Sequence, residues 1–165
     1  MGRFELREAE PRDIPALLGL IRELAEYERM PEMVKATPEL LQRNIFERHF
    51  GSAVVAVDTR NASRVVGMAL WTTTFSTWTG KPSLYLEDLY VQPEARKHGL
   101  GKALFGWLGK KCRELDCARL EWVVLKWNEP SIKFYEALGA TTMKDWDTMR
   151  LEGTALADLE KLLPS

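Results

Sequence analysis

An α/β fold with a mixed, mostly antiparallel sheet is predicted by three features of the sequence. Segments 53–57, 65–75 and 84–91 are β-type and follow one another across short polar connections, the arrangement of an antiparallel meander. Segment 84–91, a helical pattern over 100–116 and a further strand pattern over 120–125 then form a β-α-β unit, so those two strands run parallel. At 165 residues the chain reads as one domain, residues 1–165, large enough to bury roughly two thirds of its unfolded surface.

Each element has its own signature. Phe4, Leu6 and Ala9 are spaced by polar residues and give a first strand. Ile14, Leu17, Leu18, Ile21, Leu24 and Ala25 recur at helical spacing after an Asp13 cap, and Pro15 falls in the first turn, where a missing N–H is tolerated. Thr37-Pro38 opens a short helix bearing Leu40, Leu41 and Ile45. Polar connections at 58–63 and 76–82 suit hairpins. Leu100, Ala103, Leu104, Trp107 and Leu108 trace one face of the long helix. Asn128 caps a helix over 128–138 with Pro130 in its opening turn, and Gly139 stands where a left-handed stop is needed. A last strand is expected over 148–151.

Composition narrows the function classes. The net charge is −1 with acids and bases balanced, so no basic face argues for nucleic acid and the expected partner is a small molecule. No apolar run approaches the ~18 residues of a membrane span, so a membrane role is excluded and a cytoplasmic protein is expected. Cys112 and Cys117 are read as packed thiols, and with only His49 and His98 besides, no metal site is expected.

Chemistry enters at Val91-Gln92-Pro93-Glu94-Ala95-Arg96-Lys97-His98-Gly99-Leu100-Gly101-Lys102. Two glycines one residue apart let backbone N–H groups crowd together at the start of a helix, whose unpaired donors and positive dipole end add to them. Arg96, Lys97, His98 and Lys102 surround the same turn with charge or donors, so the segment reads as a cradle for a pyrophosphate. The dinucleotide and nucleoside-triphosphate loop patterns do not fit it.

Arg96-x-x-Gly99-x-Gly101, followed by Asn128-Glu129-Pro130-Ser131-Ile132-Lys133-Phe134-Tyr135-Glu136-Ala137-Leu138-Gly139, resembles the two cofactor motifs of the GCN5-related N-acetyltransferases. Ile21-Arg22-Glu23-Leu24-Ala25-Glu26-Tyr27-Glu28, Tyr85-Leu86-Glu87-Asp88-Leu89-Tyr90-Val91 and Trp127-Asn128-Glu129-Pro130 are similar to the polyamine (diamine) branch of that superfamily, which includes thialysine acetyltransferases. The match departs over 43–52 and 58–64, and at Met149, where the branch carries tryptophan.

The resemblance implies a fold whose central parallel strands splay apart, and acetyl-CoA as acetyl donor. Its pyrophosphate would rest on Arg96, Lys97, His98, Gly99, Leu100, Gly101 and Lys102, its thioester carbonyl on a backbone N–H among Leu89, Tyr90 and Val91, and its pantetheine arm along Asn128, Ser131 and Tyr135. It also implies a homodimer.

Transfer to an amine needs a neutral nitrogen, a polarised carbonyl and a proton for the leaving thiolate. An alkyl ammonium with pKa near ~10.4 is neutral in about one molecule in a thousand at pH 7, so some group must take its proton, and nearby carboxylates can do so directly or through water. Simple alternation sends Glu87 and Asp88 to opposite faces of the strand, and the resemblance makes Glu87 the substrate-facing one, a catalytic and substrate-binding candidate. Glu28 and Asp147 are candidates for a distal ammonium, Tyr27 and Trp78 for flanking the methylene chain, and Tyr135 for general acid.

The sequence thus predicts direct acetyl transfer from acetyl-CoA to a primary amine of a small substrate with a second cationic group. Diamines and polyamines lead and thialysine-like amino acids follow. A silent acyl-CoA-binding module and a protein lysine acetyltransferase are the alternatives.

Overall fold

The computed structural model describes residues 3–61 and 64–164, so part of the expected 58–63 hairpin connection, Ala62 and Ser63, lies outside the described residues. The chain forms two compact units, residues 1–125 and 126–165.

The first unit is built on a five-stranded sheet whose order along the sheet is the order along the chain: β1 (Phe4–Glu8), β2 (Ser52–Asp58), β3 (Arg64–Ser76), β4 (Lys81–Val91) and β5 (Arg119–Glu121). The first four are antiparallel and β4–β5 is parallel, as the β-α-β pattern requires. Helix α1 (Ile14–Tyr27) lies on one face and α3 (Leu100–Glu114) on the other. Between them, β2 reads as a continuous apolar run because both its faces are covered: Val54 and Ala56 pack with Leu100, Leu104 and Leu108, while Ala53, Val55 and Val57 pack with Leu17 and Leu20.

Local chemistry differs from the simplest reading at several points. Asp13 stands at the N-cap of α1, but its carboxylate caps nothing there; it accepts from both terminal nitrogens of Arg7, at 2.6 and 2.8 Å, and from the Glu10 N–H at 2.7 Å. Helix α2 (Pro38–Leu41) starts as expected, with Thr37 Oγ1 accepting the Leu40 N–H at 3.2 Å. It then widens into a π-helical turn over Gln42–Glu47, where the Asn44 amide donates to the Leu40 carbonyl that the regular ladder would use.

Strand β5 is a correction. It spans Arg119–Glu121, not 120–125, and pairs with β4 only at Ser83, Leu84 and Tyr85. Beyond Tyr85 the two chains part, and β4 runs on to Val91 with no strand partner on that side among the described residues. The parallel pair is therefore splayed, and β5 is the outermost strand of the described sheet.

The second unit holds α4 (Glu129–Ala137) and α5 (Gly153–Ala157). Helix α4 ends in the expected left-handed stop: Gly139 has φ +92°, its N–H donates to the Glu136 carbonyl, and the Ala140 N–H to that of Tyr135. The strand expected over 148–151 is not formed; those residues are exposed, without the covered face that would hold their alternation in a sheet.

Candidate active site

The carboxylates are arranged by a β-bulge. Leu70 opposes Asp88 while Trp71 opposes Leu86, so Glu87 is an extra residue in β4. Before it, Leu84 and Leu86 face α3; after it, Leu89 and Val91 do, and Tyr90 joins the α1 side. The parity switch leaves Glu87 and Asp88 both toward the α1 face. Opposite faces, the expectation from alternation, is thereby corrected: both carboxylates lie on the α1 side of the strand, and Asp88 joins the candidates.

Glu87 is exposed and Asp88 partly buried. Burial first, then the charges of Glu87 and Glu28, push the Asp88 carboxyl up to about 6. Glu28, the C-cap of α1, is itself raised by burial. Asp88 thus stands within electrostatic reach of both Glu87 and Glu28 where the last turn of α1 meets the bulge, a setting that a cation relieves.

Tyr27 is exposed on the same turn of α1. Trp78 is not brought to this cluster: it lies in the turn between β3 and β4, 79 % exposed, and the six residue steps of β4 from Lys81 to Glu87 alone span roughly 20 Å. Its expected contact with the same substrate is not supported within one chain.

The cofactor loop leaves β4 through a short 3-10 turn (Pro93–Ala95). Lys97 (φ +63°) and Gly99 (φ +79°) are both left-handed, which folds the backbone into a concave turn. Gly99 is the N-cap of α3, and the first intrahelical bond runs from the Ala103 N–H to its carbonyl, at 2.9 Å. The N–H groups of Leu100, Gly101 and Lys102 therefore precede the helical ladder. A Cβ built on Gly99 meets nothing within 4 Å, so glycine serves the left-handed φ and keeps the mouth of the turn open. These features fit the pyrophosphate of acetyl-CoA.

The loop side chains divide. Lys97, His98 and Lys102 are exposed, with the His98 ring 5.5 Å from that of Phe4. Arg96 is committed elsewhere: its Nε donates to the Val91 carbonyl at 2.8 Å, and its guanidinium lies 5.4 Å from the Tyr90 ring and 6.0 Å from the Tyr27 ring. Leu89, Tyr90 and Val91 turn their side chains into the two cores, so what they offer a ligand is backbone. Cys112 and Cys117 are packed thiols as expected, with Cys112 pushed up to about 11 by burial and by its neighbour Cys117.

In the second unit Asn128 is buried and its side chain accepts the Ser131 N–H at 3.4 Å, the expected cap. Ser131 and Tyr135, four residues apart, share a face of α4, and the Tyr135 ring lies 5.6 Å from that of Phe134. Asp147 lies in an exposed, irregular stretch.

The acetyltransferase (GNAT) family model matches residues 17–140. Thialysine N-epsilon-acetyltransferase of Sus scrofa is 36% identical over 96% of this chain and 98% of that protein, and its Bos taurus counterpart is 37% identical over the same shares. An integron cassette protein from the mobile metagenome of V. cholerae superposes with a TM-score of 0.79 at 26% identity, covering 98% of this chain and 99% of that one. With a splayed parallel pair, a phosphate-type cradle at the head of α3 and this match across most of its length, the chain belongs to the GNAT family and is an acetyl-CoA-dependent N-acetyltransferase.

Proposed function

We propose that the chain acetylates a primary amine on a small substrate bearing a second cationic group, thialysine-like amino acids first and short diamines or polyamines next. The observation that carries this reading is the bulge that turns Glu87 and Asp88 together toward Glu28. The thialysine acetyltransferases among its relatives support the order of substrates, which reverses the order expected from sequence alone.

Acetyl-CoA supplies an activated acyl group when bound; the side chains manage charge and protons. Exposed Glu87 draws in the ammonium. A carboxylate that attracts a cation also raises its pKa and so opposes deprotonation, which argues for dividing the work. Asp88, raised to about 6, is ionised at pH 7 yet a stronger proton acceptor than an ordinary aspartate, and it is the group we assign to take the proton. Glu28 with Tyr27 then receives the distal ammonium. Tyr135 Oη holds the proton for a departing thiolate, a role carried by its motif position.

The loop N–H groups from Leu100 to Lys102, with Lys97 and His98, would hold the pyrophosphate, and a backbone N–H among Leu89–Val91 the thioester oxygen. Asn128 and Ser131 are assigned to the pantetheine arm. We further read the chain as one domain acting as a cytoplasmic homodimer; the family match running across residue 125 supports the single domain. No described helix is long and apolar enough to cross a membrane.

The test is CoA release with thialysine, a diamine, a polyamine, a monoamine of equal chain length and a lysine peptide. Thialysine or the diamine should turn over best, and Glu28→Gln should raise their KM about tenfold while costing the monoamine little. No release with any amine would favour a silent binding module, and preference for the peptide a protein acetyltransferase.

A further inference from the structure

Arg96 carries the consensus position of a phosphate-binding loop, yet its side chain turns back onto the strand before it and, at Tyr27, reaches the end of α1. Nε is held by the Val91 carbonyl and the guanidinium faces the rings of Tyr90 and Tyr27. The same side of α1 grips the loop again one turn earlier. The Gln92 amide donates to Glu23 at 2.8 Å, and Glu23 and Tyr27 are four residues apart, on one face of the helix. The Tyr90 hydroxyl interacts with both Glu23 and Arg96. From the far side, Arg64 donates to Gln92 at 3.1 Å and pairs with Glu94. Residues 90–96 are thus fastened to the last two turns of α1, and the next residue along that helix, Glu28, belongs to the carboxylate cluster.

We propose that Arg96 is a positioning residue for the amine, not a ligand of the cofactor: anchored on Val91 and laid against Tyr90 and Tyr27, it fixes the cofactor loop to the end of α1 and thereby sets where Tyr27 and Glu28 stand. The physical case rests on competition for one side chain. A guanidinium holding a backbone carbonyl and facing two aromatic rings surrenders those contacts if it swings out to a phosphate, whereas backbone N–H groups can hold the phosphate without it. This rests on the assignment of Tyr27 and Glu28 to the amine.

The experiment compares wild type, Arg96→Gln and Arg96→Lys, with CoA affinity measured by calorimetry and KM and kcat for thialysine and a diamine measured at saturating acetyl-CoA. Arg96→Gln should leave the Kd for CoA within about threefold and raise the amine KM about tenfold. Arg96→Lys, which keeps a cation near the rings, should recover part of that loss. In a Tyr27→Leu background Arg96→Gln should cost less than a further twofold, because the ring it positions is gone. A tenfold loss of CoA affinity with unchanged amine KM would make Arg96 a phosphate ligand and overturn the proposal. Additive effects in the double variant, or no effect on either constant, would overturn it equally. Should Arg96→Gln fail to fold by circular dichroism, Arg96→Lys gives the same comparison, with an expected rise of about threefold in the amine KM. Failure of wild type to use either amine would instead refute the substrate reading, and the CoA measurement separates the two failures.

Discussion

Asp88 is the residue whose environment has the clearest energetic signature. Its carboxyl is raised from an ordinary aspartate value to about 6, by burial and by Glu87 and Glu28. Between about pH 4 and pH 6 the folded chain keeps a proton that the unfolded chain has released, so stability falls as pH rises through that window. Above it both states are ionised and the fold bears the full penalty. Asp88→Asn removes the titration. The variant should therefore be more stable than wild type at pH 7.5, by on the order of 2 kcal/mol, and about equal to it near pH 4. Urea unfolding at the two pH values checks this, and a constant difference between them would show that Asp88 is not the group responsible. Tyr135→Phe isolates the second proton: the ring and its contact with Phe134 stay, so Tm should barely move while turnover falls roughly a hundredfold. Near-normal turnover with chemistry limiting would leave Tyr135 a packing residue.

At the scale of elements, the loop and the bulge were unequally legible. The cradle could be read because glycine spacing before a helical pattern has few other uses, and Gly99 duly has φ +79°. Gly99→Val should weaken CoA binding at least tenfold in calorimetry while leaving the circular dichroism spectrum unchanged, since the added Cβ meets no protein atom within 4 Å but the side chain opposes the left-handed turn and closes its mouth. The bulge left a trace that simple alternation overrode. Apolar residues fall on even positions at Leu84 and Leu86 and on odd positions at Leu89 and Val91, and a strand can change parity that way only by carrying an extra residue. The destination of the Arg96 side chain left no trace, because Tyr27 is 69 positions away and only the folded chain brings the two together. The 148–151 segment shows the converse: an alternating pattern suggests a strand, but the sheet decides whether a partner is there.

For the molecule as a whole, the antiparallel meander, the β-α-β crossover and the Thr37 and Asn128 caps were readable, because each is set by residues close in sequence, whereas the Asp13 carboxylate is drawn to Arg7 instead of capping α1. The bounds of β5 were not, since they depend on where the chain leaves β4. One property of this sheet reaches beyond catalysis. Its strands stand side by side in the order in which they are synthesised, β1 to β5, with the crossover helix needed only for the last. As the chain leaves the ribosome, each new strand after β1 finds its neighbour already made; the long waits fall to β1, whose partner begins at Ser52, and to β4, whose partner follows α3. The growing edge that invites aggregation moves outward as synthesis proceeds and ends on the short β5 and the unpaired end of β4, while β1 remains the other edge of the sheet.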